Sequence, residues 1–213
     1  MTDRPRLDFW FELASTYSYP AAMRVDDRAA AAGVEVRWRP FLLGPTFKAL
    51  GWPQDSPFNW QEAKGRHMQR DLTRLCEGLG LGFKIPDPFP QPSLMAARIA
   101  AAGLDEPWLP DFVRAVYSAQ FAEGRQIHER DTLAEILKSL GVDADAAFDT
   151  TQSDDNKARL RALTEEATSK GVFGAPTFIT ADGEVFWGHD RMDHALHWAR
   201  NGTLEGLFVG VGG

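Results

Sequence analysis

The first alternation along the chain runs from Leu7 to Leu13, where Phe9, Trp10 and Phe11 lie between Asp8 and Glu12, and it predicts a strand. Small and hydroxyl residues from Ala14 to Tyr19 follow as a turn. An alanine-rich helix is predicted from Pro20 to Ala32, closed by Gly33. Val34 to Pro40 alternates again as a second strand, and a right-handed crossover makes the two strands parallel. Phe41 to Pro57 is rich in Gly and Pro and reads as a long connection. Met68, Leu72, Leu75 and Leu79 recur at three- and four-residue spacing, so 60–79 reads as a helix. Pro86, Pro88, Pro90 and Pro92 make 84–92 irregular, and helices are predicted at about 93–102, 107–122, 130–140, 144–151 and 154–170. Strand character returns at Pro176 to Thr180. A turn at Ala181-Asp182-Gly183 leads into an antiparallel strand over 184–187, and a closing helix is expected over 191–201.

Parallel β-α-β followed by β-β-α is the order of an α/β, thioredoxin-like sheet. The predicted organisation is a discontinuous domain of residues 1–45 and 171–213 that carries an all-helical insertion at 46–170. The glycine-rich tail after Gly202 reads as a dimer contact, a loose end, or both.

Composition adds limits rather than detail. The chain of 213 residues is 44% hydrophobic and 25% charged, which suits a folded core. Its net charge of −7 offers no basic excess for nucleic acid. No run approaches the roughly 20 apolar residues of a membrane span. Met1 to Leu7 lacks the apolar core of a secretory signal. The single cysteine, Cys76, fits a reducing compartment, so a cytoplasmic location is expected. No metal is expected from the spacing of His67, His128, His189, His194 and His197.

Three segments carry candidate chemistry. Ser15 and Ser18 stand where redox thioredoxin relatives bear Cys-x-x-Cys, between the first strand and its helix. Serine cannot cycle through a disulfide, but it can donate to a thiolate brought in by another molecule; alternatively, Ser15 simply caps the helix. Pro176 precedes a strand expected beside the first one, and an X-Pro bond is the only cheap cis peptide. The main chain of Ala175 is then expected to meet a peptide ligand, unless Pro176 merely opens a strand. His189 and Asp190 precede the last helix, where Asp190 caps, receives an ammonium group, or does both.

Taken together, Phe9-Trp10-Phe11-Glu12-Leu13-Ala14-Ser15-Thr16-Tyr17-Ser18-Tyr19, the 39–48 stretch around Leu43-Gly44-Pro45-Thr46-Phe47-Lys48, Gly171 to Phe178, and Trp187-Gly188-His189-Asp190-Arg191 resemble the kappa-class glutathione transferase and 2-hydroxychromene-2-carboxylate isomerase family of the DsbA-like thioredoxin superfamily. The resemblance spans nearly the whole chain, and the 43–48 stretch leans toward the isomerase branch. It departs at Thr16, where the family commonly has proline. The resemblance implies glutathione as cofactor, with Ser15 on its sulfur, Ala175 and Pro176 on its backbone, and Trp187, Gly188, His189 and Asp190 around its γ-glutamyl end. It implies Lys48, Asn59 and Trp60 in the substrate pocket, with Lys64 or Arg66 as a further anion contact and Trp60, Phe83 and Phe89 as apolar wall. It also implies a homodimer.

The activity implied is a glutathione-dependent cis/trans isomerisation of an aromatic 2-hydroxychromene-2-carboxylate-like substrate, with Lys48 as the cation for its carboxylate. The alternatives are a kappa-like glutathione transferase, a DsbA-family thiol oxidoreductase, which the lack of a second cysteine weakens, and a non-catalytic thioredoxin-like binding module. Glutathione affinity separates the last from the rest.

Overall fold

Leu7, Phe9 and Phe11 turn to one side of the first strand and Trp10 to the other, and all four are fully buried. An apolar strand covered on both faces is the mark of a central strand in a layered α/β fold. The computed structural model describes residues 4–53 and 55–207 and places that strand, β1 (Arg6–Phe11), inside a four-stranded sheet. It pairs in parallel with β2 (Glu35–Pro40) and antiparallel with β3 (Thr177–Thr180), which pairs antiparallel with β4 (Val185–Trp187). The order is β2-β1-β3-β4, the thioredoxin-like arrangement expected from the sequence. Asp8, buried within β1, is matched by the bidentate Arg37 guanidinium of β2 at 2.6 and 2.9 Å.

On one face Phe9 stacks on Phe178 at 5.3 Å and meets the edge of Trp38 at 5.0 Å. Helices α1 (Ser18–Ala22), α2 (Val25–Ala32), α7 (Leu109–Tyr117) and α11 (Met192–Asn201) are among those that contribute to this core. On the other face Trp10, Phe41 and Ile179 are covered by α6 (Leu94–Ala102) and α10 (Asp154–Ser169) through Ala97, Ala101, Leu160 and Leu163. The helical block therefore shares its cores with the sheet, and the boundary at residue 45 falls inside α3 (Leu43–Ala49). The remaining helices are α4 (Pro57–Trp60), α5 (Glu62–Leu79), α8 (Arg130–Ser139) and α9 (Ala144–Gln152). Among the described residues, no helix is long and apolar enough to cross a membrane. Met1 to Asp3 and the last glycine-rich residues, 208–213, lie outside the described residues, and with them most of the tail singled out above.

Three sequence expectations need correction. The helix expected from Pro20 to Ala32 is two helices. The Arg24 N–H turns to Ala21 O at 3.1 Å instead of Pro20 O, which accepts the Arg24 Nε at 3.3 Å, and the axis breaks there. The connection from Phe41 to Pro57 contains α3; Gly44 and Pro45 lie in its first turn, where no intrahelical N–H is needed and both residues are tolerated. The helix expected to end near residue 122 widens after Tyr117 into a π-helical turn, Ser118–Glu123. Two side chains of this region hold the end of β1, through Tyr117 Oη to Glu12 O (2.8 Å) and Gln120 Nε2 to Leu13 O (2.8 Å).

Candidate active site

The β1–β3 pairing sets Trp10 opposite Thr177, so the loops beyond the two strands meet. One loop is a tight turn in which the Ser15 N–H bonds Glu12 O at 2.9 Å. The other contains a cis peptide between Ala175 and Pro176. The Ser15 hydroxyl donates to Ala175 O at 2.9 Å, a contact between residues distant in sequence. Ser15 is therefore not a helix cap. The N-cap of α1 is Tyr17, which makes no side-chain cap bond. Asp190 does not cap either; its Oδ2 pairs with Arg191 at 3.0 Å, and neither turn at the start of α11 has a side-chain cap.

These loops floor a cavity of about 950 Å³. Ser15, Ala175, Pro176, Trp187, Gly188, His189, Asp190 and Lys64 all line it, so the fold gathers these expected site residues around one space. It does not gather Lys48, Asn59 and Trp60, which are absent from the lining. Lys48 lies exposed in the last turn of α3, whose Leu43 and Phe47 face the cavity instead. The short α4 presents Pro57 and Phe58 inward. A helical rotation of ~100° per residue carries Asn59 and Trp60 away from that face. Asn59 Nδ2 bonds Asp55 Oδ1 (2.8 Å) and Phe89 O (3.0 Å), tying two wall segments together, while Trp60 is 48% exposed. Arg66 is paired with Glu62. Phe89 lines the cavity, but Phe83 stacks on Phe121 in the core.

Several lining residues went unrecognised in the sequence. His67, Met68 and Asp71 follow Lys64 at i+3, i+4 and i+7 along α5, a legible face of which Lys64 alone was expected at the site. Tyr17 Oη donates to Asp71 Oδ2 at 2.9 Å, and its ring stacks flat on His189 at 5.2 Å. Burial, then the neighbouring Asp71, holds the Tyr17 phenol well above its ordinary value. Burial raises Asp71, but the Tyr17 hydroxyl and Arg74 outweigh it and leave the carboxyl below its usual range. Burial also keeps His189 below the ordinary imidazole value against the pull of Asp190, and its Nδ1 is buried without a hydrogen-bond partner among the described residues. On the inner wall, Glu12 is 5% exposed; it accepts from Ala14 N at 2.8 Å and from the Ser93 hydroxyl. Burial pushes its carboxyl up to about 7, against these two hydrogen bonds. Among the described residues, no group of His, Cys, Asp and Glu is arranged to hold a metal ion.

Residues 6–197 match the DSBA-like thioredoxin domain. The chain belongs to that family. Among DsbA-like relatives, it is 29% identical over 188 residues to the 2-hydroxychromene-2-carboxylate isomerase of Sphingobium xenophagum, spanning 88% of this chain and 94% of that one. It is 26% identical over 208 residues to glutathione S-transferase kappa 2 of Caenorhabditis elegans, spanning 90% of each. Among solved structures, a 2-hydroxychromene-2-carboxylate isomerase aligns with a TM-score of 0.79 at 25% identity, over 88% of this chain and 90% of that one. The cytosolic disulfide reductase DsbM of Pseudomonas aeruginosa, solved with GSH, shares the fold at a TM-score of 0.62 and 21% identity, over 91% and 95% of the two chains. The curated relatives are thus enzymes of the isomerase and glutathione transferase kinds within the DsbA-like family. In this DsbA-like chain the turn after β1 holds serines, and Cys76, the single cysteine, is buried on α5 with its thiol pushed up to about 11 by desolvation.

Proposed function

We propose that this protein is a glutathione-dependent isomerase acting on an aromatic carboxylate of the 2-hydroxychromene-2-carboxylate kind. The observation that carries this reading is the Ser15 hydroxyl set against Ala175 O on the floor of a large cavity with largely apolar walls. The residues present suit glutathione, an anionic tripeptide with one ammonium group. The Asp190 carboxylate suits the ammonium, Arg191 and the unpartnered His189 Nδ1 suit carboxylate oxygens, and the Ala175 main chain suits the peptide. When bound, glutathione supplies a nucleophilic sulfur whose reversible addition to a conjugated carbon frees rotation about a double bond.

The chain's own residues account for the rest. Ser15 turns its hydroxyl from Ala175 O to the sulfur and favours the thiolate by donating to it. Phe47, Phe58, Phe89 and Phe173 present the apolar surface an aromatic ring requires. Lys64 at the rim takes the carboxylate role expected of Lys48, because Lys64 lines the cavity and Lys48 does not. A cytoplasmic homodimer belongs to the same reading, supported by the resemblance and by the single cysteine. A kappa-like transferase is the second reading, favoured by the 26% identity to glutathione S-transferase kappa 2.

Calorimetry with glutathione on wild type and Ser15→Ala tests the site, and ultraviolet monitoring of 2-hydroxychromene-2-carboxylate with glutathione present tests the reaction. Saturable binding, a thiolate band lost in Ser15→Ala, and conversion without consumption of glutathione are expected. Absence of binding at millimolar glutathione would sink the reading, whereas binding with consumption of glutathione by an electrophile would favour the transferase.

A further inference from the structure

A buried carboxyl on the cavity wall has no part in the reading above. Glu12 ends the segment that leads into Ser15, and its main-chain oxygen accepts the Ser15 N–H, so both side chains are held by one short turn and both line one cavity. Its carboxyl is buried, receives one N–H and one hydroxyl, and forms no ion pair among the described residues. A carboxylate in such a place is destabilised by lost solvation and gains more from a proton than an exposed one does. We propose that Glu12 is the proton acceptor of the site, taking the thiol proton of glutathione as the tripeptide binds. This rests on the glutathione reading.

The step balances without an external partner. The S–H bond breaks with both electrons left on sulfur, an O–H bond forms on Glu12, and nothing is oxidised or reduced. When the thiol leaves, the proton returns. Transfer also lowers the electrostatic cost, because a thiolate beside a buried carboxylate places two negative charges in one cavity, whereas a thiolate beside a carboxylic acid places one.

The surrounding groups do not compete for this role. Tyr117, packed on Glu12 from α7, is held protonated by burial and by Glu12 itself. Gln120 from the π-helical turn is neutral and bonds Leu13 O. Across the cavity Tyr17 and Asp71 are engaged with each other, and Asp190 is paired with Arg191. Burial holds His189 below the ordinary imidazole value, and Lys64 and His67 lie exposed at the rim on α5.

The test counts protons. Glutathione binding is measured calorimetrically in two buffers of different ionisation enthalpy, beside the ultraviolet thiolate band, for wild type, Glu12→Gln and Ser93→Ala. In wild type the release per thiolate formed is expected to fall from about one proton to near none as pH rises from about 5.5 to about 8. Glu12→Gln, with no acceptor, is expected to release about one throughout. Ser93→Ala removes a donor that favours the charged form, so its crossover moves to higher pH. Release of about one proton at every pH by wild type, binding of glutathione without a thiolate band, or an unmoved crossover in Ser93→Ala would each overturn the proposal while leaving glutathione binding intact. Failure of wild type to bind glutathione overturns both readings together.

Discussion

The buried Glu12 carboxyl makes a prediction about the protein alone, without ligand. Its folded-state pKa is raised from 4.5 to about 7. Between those values the folded chain holds a proton that the unfolded chain has released, so stability falls as pH rises through the window and levels off above it. Moving one carboxyl from 4.5 to about 7 corresponds to about 3 kcal/mol over the whole window. From about pH 5.5 to about 8.5 the part expressed is about 2 kcal/mol, and a group this buried is not screened by solvent. Glu12→Gln keeps the shape. Its amide oxygen can accept from Ala14 N and its N–H can donate to Ser93 Oγ, but it cannot ionise. Urea unfolding followed by tryptophan fluorescence at both pH values gives the wild-type-minus-variant difference, in which other titrating groups cancel. Wild type is expected to lose about 2 kcal/mol relative to Glu12→Gln on going to the higher pH. A change below about 0.5 kcal/mol, or one of opposite sign, would refute the claim that this carboxyl is buried without a compensating charge.

Two further outcomes follow from the site geometry. Lys64→Ala is expected to weaken binding of a carboxylate-bearing aromatic ligand about 5-fold, as loss of a rim cation does, while Lys48→Ala leaves it unchanged; equal effects in titrations of the two variants would contradict this placement. Tyr17→Phe removes a half-buried bond to Asp71 and is expected to cost about 1–2 kcal/mol in urea unfolding. It should also loosen α5 from the Ser15 loop, visible as faster amide exchange around Asp71.

The sequence by itself determined the strands, most of the helices and their order, because each depended on local pattern. The aromatic run of β1, the alanines before Gly33 and the Asp182-Gly183 turn each select a backbone conformation from neighbouring residues alone. It also pointed to Ser15 and Pro176 as loop residues of a thioredoxin-like sheet, since their positions relative to strands are local facts. It could not say which faces meet. The break between α1 and α2 came from the Arg24 side chain taking Pro20 O. The π-helical turn lies where side chains hold the end of β1. The outward turn of Asn59 and Trp60 depended on where a four-residue helix begins. Glu12 shows the division most clearly. In sequence it is one acidic residue after an apolar strand, and nothing local distinguishes it from a solvated carboxylate. Only the packing of α7, the π-helical turn and Ser93 around the end of β1 removes it from water, and that desolvation turns an ordinary side chain into a group that titrates near neutrality.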